Sequence, residues 1–94
     1  MDTTKRWTVD IHLTEHVGHD GVRTRAEARL HAPDATDLRA RGDARKHPDD
    51  PDVPEIGDEL AASRALSALA HELLEAAVDD IERVTGQPVT KLDP

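Results

Sequence analysis

The stretch Val53-Pro54-Glu55-Ile56-Gly57-Asp58-Glu59-Leu60 opens the segment that decides the fold. From Asp58 to Thr85 the chain then contains neither proline nor glycine, and alanine, leucine and glutamate recur throughout. Such a run is a strong helix former. The pattern predicts a helix over residues 56–85, with Asp58 as N-cap, or with Asp52 and Pro54 in the first turn as the alternative. Gly86 falls at the left-handed stop position and Pro88 lies just beyond. Asp49, Asp50, Asp52, Glu55, Asp58 and Glu59 crowd the positive end of the helix dipole, which stabilises them.

A helix of about 28 residues is a rod of roughly 42 Å, whereas a nine-residue strand spans about 30 Å. The rod is therefore expected to overhang a sheet that it does not cross diagonally. One apolar stripe joins Ala62, Leu66, Leu69, Leu73, Ala77, Ile81 and Val84, and a second joins Leu60, Ala70, Leu74 and Val78. Together they are wider than one sheet face needs. A wide stripe on a single sheet is the plain reading. Self-association is favoured, with Leu60, Leu66, Leu69, Ala70, Leu73, Leu74, Val78 and Ile81 as the expected homodimer interface.

Upstream, Trp7, Val9, Ile11 and Leu13 alternate with Thr8, Asp10, His12 and Thr14. Period two with β-branched residues predicts a half-buried strand over residues 5–14. Residues 15–21 read as a turn ending in Asp20-Gly21. Alternation resumes over 22–32 and again, after a turn begun by Pro33-Asp34, over 36–46. Short turns between neighbouring strands imply an antiparallel meander. Residues 47–54 form an acidic, proline-rich loop. The tail, 86–94, is expected either to fray or to dock Val89 and Leu92 on a neighbour. The expected class is α+β, a single domain over 1–94 in which a three-stranded meander precedes one long helix. Trp7, Val9, Ile11, Leu13, Leu30, Leu38 and the alanines make the apolar face of the meander. The small residues Ala26, Ala28, Ala40, Gly42 and Ala44 would let a helix approach closely.

Composition narrows the function. With 94 residues the core is modest, and Trp7 is the sole aromatic among Phe, Trp and Tyr. The absence of cysteine excludes disulfides, thiolate zinc sites and thiol catalysis. No run is long and apolar enough to span a membrane. Met1 to Arg6 lacks the apolar segment of a signal peptide, so a cytoplasmic location is expected. The net charge of −8 is unevenly spread. Residues 23–46 carry seven basic and four acidic groups, whereas 47–94 carry three basic and twelve acidic.

His12, His16 and His19 with Glu15 and Asp20 resemble metal ligands, but HxxxH spacing gathers side chains only on a helix. A solvated hairpin tip is the expected reading, with no metal or cofactor. Asp79, Asp80 and Glu82 form a carboxylate cluster, but a chain this small has little material for an enclosing pocket. No nucleophile motif or phosphate-binding glycine loop is present. The expectation is a protein that is not an enzyme.

Arg23, Arg25, Arg29, Arg39, Arg41, Arg45 and Lys46 are the candidate RNA- or partner-binding set. They suit phosphates of structured RNA, which are read by shape and charge. No aromatics interleave them to stack bases. Glu27, Asp37 and Asp43 share their face and are placed to pair across strands. A salt-bridged solvent face is the plain alternative, and an acidic protein partner a third.

Trp7-Thr8-Val9-Asp10-Ile11, Thr24-Arg25-Ala26, Ala28-Arg29-Leu30, Gly42 with Ala44-Arg45, the block Val53 to Leu60, Arg64-Ala65-Leu66-Ser67, Asp80-Ile81-Glu82 and Gln87-Pro88-Val89 together resemble a small actinobacterial family of unknown function. The likeness runs from Trp7 to Val89. It implies a fold like that of double-stranded-RNA-binding domains and an intertwined or swapped homodimer shaped like ribosome hibernation-promoting factors. It further implies a role in stress or dormancy, as in some mycobacterial relatives, with the ribosome or structured RNA as partner. A dimeric protein-interaction module without nucleic acid is the alternative. No functional residues carry over. The family tends to have glycine where this chain has Ala40. Double-stranded-RNA-binding domains present lysines at the start of their last helix, where this chain has six carboxylates, so that mode of duplex binding is not expected.

Overall fold

The computed structural model describes residues 1–33 and 37–90. Three strands, β1 (Thr8–Gly18), β2 (Gly21–His31) and β3 (Asp37–Lys46), precede one helix, α1 (Pro54–Thr85). The sheet is antiparallel in the order β1-β2-β3. The α+β class and the meander-then-helix order follow the alternation and the unbroken helical run.

Three boundaries differ from expectation. β1 begins at Thr8 and not at residue 5, which leaves Trp7 just before the strand. β1 continues to Gly18, so residues 15–18 belong to the strand and only His19 and Asp20 turn the chain. Gly18 pairs with Gly21 to close this tight hairpin. Gly21 has φ 120°, and a Cβ there would lie 2.0 Å from the Lys46 carbonyl oxygen, so no larger residue fits. The helix starts at Pro54, as in the alternative that puts Pro54 in the first turn, and not at Asp58. Val53 is its N-cap, in extended conformation and without a side-chain hydrogen bond. Proline lacks the N–H that a first turn leaves unpaired and holds a helical φ, so the helix begins on it. At the other end Gly86 is left-handed, and its N–H donates to the Glu82 carbonyl oxygen at 2.8 Å.

The core is Ala26, Ala28, Leu30, Ala40, Ala44, Ala61, Ala65 and Leu69. Alanine removes little area from water, so this core is thin and its two leucines carry much of it. Its compensation is close approach: a Cβ at Gly42 would lie 2.3 Å from the Ala65 backbone nitrogen and 2.5 Å from the Ala61 carbonyl oxygen. Across the same contact Arg64 Nη1 donates to the Asp43 carbonyl oxygen at 2.6 Å.

That seat decides where the helix lies. It packs on β3 and β2 and barely touches β1. The whole of β1 is exposed. Thirty-two residues make a rod of about 48 Å over strands of about 35 Å, and no helical residue beyond Leu69 is buried. The tail folds back on the rod: Gln87 N–H donates to Thr85 Oγ1 at 3.2 Å and Val89 N–H to Glu82 Oε2 at 3.2 Å. Val89 is thus tied to its own helix through its backbone N–H. Asp34 and Leu92, of the expected turn and tail, lie outside the described residues.

Candidate interaction surfaces

Three surfaces arise from this placement. The first is the outer sheet face. Strand alternation puts Arg23, Arg25, Arg29, Arg39, Arg41 and Arg45 there, away from the helix. The register sets carboxylates among them: Arg25 opposes Asp43, and Glu27 opposes Arg41. Arg25 Nε meets Asp43 Oδ1 at 3.1 Å. Arg29 grips Asp37 with both Nε and Nη2, at 3.1 and 3.2 Å. Arg41 Nε lies 3.9 Å from Glu27 Oε2, and Arg45 pairs with Asp20. The hydrogen bond from Arg29 is the main reason that the Asp37 carboxyl titrates below the ordinary carboxylate range, and the same contact raises Arg29. Among the described residues Arg23 and Arg39 make no ion pair. In register they oppose Arg45 and Arg29.

Lys46 is a correction to the predicted set. Alternation continued from Ala44 turns it to the helix side, where it is half-buried. Strand parity alone carried this signal. Lys46 lines the second surface, a cleft of about 300 Å³ between the hairpin end of the sheet and the first turns of α1. Glu15, Thr24, Ala44, Ile56, Gly57 and Leu60 also line it. Thr24 is nearly fully buried, and its hydroxyl lies 3.1 Å from where a Gly57 Cβ would stand.

The third surface is apolar. On the helix side of β1, Val9, Ile11 and Leu13 are 41, 38 and 46% exposed, and Trp7, one residue before the strand, is 47% exposed. The sequence pattern assigned them to the apolar face of the meander, and the structure leaves that row open. On α1, Leu60, Leu66 and Ile81 are exposed, as is Ala70, while Leu73, Leu74 and Val78 are half-buried. Leu69 is different. It is 2% exposed, packed in its own core, and so not free for a partner.

The other clusters are dispersed or occupied. His12 and His16 lie four residues apart in an extended strand, a separation of about 13 Å. Asp80 pairs with Arg83, and Glu82 holds the tail. No helix among the described residues is long and apolar enough to cross a membrane.

The chain is 48% identical over 88 residues to "Uncharacterized protein Mb1767" of Mycobacterium bovis, covering 94% of this chain and 88% of the relative. To "Uncharacterized protein Rv2632c" of Mycobacterium tuberculosis it is 44% identical over 88 residues, covering 94% and 89%. The Rv2632c-like family model matches residues 5–90. The chain belongs to the Rv2632c-like family.

Proposed function

We propose that this protein is a cytoplasmic, non-catalytic, homodimeric interaction module. One observation carries the reading: the helix covers β2 and β3 and leaves the apolar face of β1, with Trp7, Val9, Ile11 and Leu13, open to water. A row of large apolar side chains at one edge, beside a helix that outruns its core, is the pattern of a surface made for a partner. The paired state of Arg25, Arg29, Arg41 and Arg45 supports a structural role for the outer face over polyanion binding. Sedimentation equilibrium tests the reading. A dimer at micromolar concentration is expected, and a monomer at tens of micromolar overturns it.

The second reading is a stress or dormancy factor with a double-stranded-RNA-binding-like fold, meeting the ribosome or structured RNA through its arginines. Arg23 and Arg39, which make no ion pair among the described residues, favour it. Co-sedimentation with ribosomal particles at low salt, lost when Arg23 and Arg39 become Glu, supports it, and failure to sediment rejects it.

A further inference from the structure

Building on the homodimer reading, we propose that the outer edge of β1 pairs antiparallel with the same edge of a second copy about a two-fold axis at Ile11, seating the partner's Trp7 in the cleft beside Glu15.

β1 lacks most of what normally blunts an edge, its one inward-facing charge being Glu15 near the hairpin end. Its eleven residues contain no proline and no lysine, and its register with β2 runs from Thr8↔His31 to Gly18↔Gly21 without a bulge. Edges bare of these devices pair with other chains. The opposite edge, β3, carries Arg39, Arg41, Arg45 and Lys46.

Chemistry then selects the register. The two apolar faces must coincide, so odd-numbered residues oppose odd-numbered ones. An axis at Asp10 sets two carboxylates opposite each other. An axis at His12 sets Val9 against Glu15, and one at Leu13 sets Ile11 against Glu15, and neither aliphatic side chain has a donor for the carboxylate. With the axis at Ile11, Val9 meets Leu13, Ile11 meets Ile11, Thr8 meets Thr14 and Asp10 meets His12. Each of these is a favourable or neutral cross-strand pair.

In that register Trp7 opposes Glu15 of the other copy. Glu15 sits across from Thr24 on β2, and both line the cleft. An aromatic side chain reaches diagonal neighbours across a strand pair. The cleft, about 300 Å³, is large enough for an indole, whose N–H would find an acceptor in the Glu15 carboxylate. The chain's one bulky aromatic is thereby withdrawn from water by a site on the other copy.

The absence of cysteine makes the test clean. Residues directly opposite in an antiparallel pair have Cα atoms about 4.5–5.5 Å apart, within disulfide range. Ile11→Cys is expected to cross-link to itself under mild oxidation, and Leu13→Cys is not, because its opposite is Val9. In the native dimer Trp7 fluorescence is expected to be blue-shifted and shielded from iodide. Ile56→Glu at the cleft mouth is expected to restore quenching, while the Ile11→Cys cross-link still forms in its presence. A sedimenting dimer in which Ile11→Cys does not cross-link, or in which Trp7 is as quenchable as in the unfolded chain, overturns the pairing and leaves the homodimer reading standing. A monomer overturns both.

Discussion

The backbone of Ala65 passes so close to Gly42 that a Cβ added to the glycine would lie 2.3 Å from the Ala65 nitrogen. The obstacle is helix backbone and not a movable side chain. Gly42→Ala therefore has to lift α1 off β3. The expected loss is at least the roughly 1–3 kcal/mol of an overpacked core, seen as an unfolding temperature lower by several degrees. A variant as stable as the native protein in urea denaturation would show that the contact is looser than described.

Leu30 and Leu69 are the two large side chains in a core otherwise made of alanine. Leu30→Ala is expected to cost about 2–5 kcal/mol. Small domains hold only about 5–15 kcal/mol in total, so this substitution should leave a substantial unfolded population, read by loss of the helical circular-dichroism signal on mild warming.

Leu13→Lys places on β1 the charge that edge strands usually carry. The side chain is nearly half exposed and outside the buried core. The expected result is a folded monomer: helix content unchanged, mass halved in sedimentation. Loss of helix together with dimer would mean that the chain cannot fold alone.

The outer face predicts a shallow salt dependence for any nucleic-acid contact. If Arg23 and Arg39 alone meet phosphates, the log–log slope of affinity on salt is about −1.4 to −1.8. A slope of roughly −3 or steeper would require four or more contacts and so the breaking of existing ion pairs. Filter binding of structured RNA across a salt series reads this directly.

Acid should weaken the Arg29–Asp37 contact. The Asp37 carboxyl titrates below its ordinary value because Arg29 hydrogen-bonds its charged form. Its contribution is present above the usual carboxylate pKa of about 3.9 and is lost as pH falls through the lower folded value. Asp37→Asn should melt slightly below the native protein at neutral pH, with the gap closing in strong acid. The pair is exposed, so the gap is expected to be small.

Local features were readable because local rules set them. Alternation defined which residues of each strand share a face. Gly86 ended the helix where a left-handed residue was needed. The charge pattern put Asp43 and Glu27 within reach of arginines, and the strand pairing brought them together. The differences were local too. Of the two helix starts the pattern offered, the one with Pro54 in the first turn holds over Asp58, because proline has a preset helical φ and no N–H to leave unpaired there. Val53 rather than Asp52 precedes it. Lys46 was grouped by charge when parity placed it on the opposite face, in a cleft that exists only once the helix is docked.

By itself, then, the chain's pattern determined three strands, one long rod, the apolar face of the sheet and the small residues on which a helix can rest. Only the tertiary structure decided how far that rod reaches sideways. Backbone contact at Gly42 seats it over β3 and β2, and a single helix, about 10–12 Å across with its side chains, spans little more than two strands set about 4.8 Å apart. The bulky row on β1 is therefore left for something else to cover, because no local rule couples the width of a sheet to the position of the helix above it.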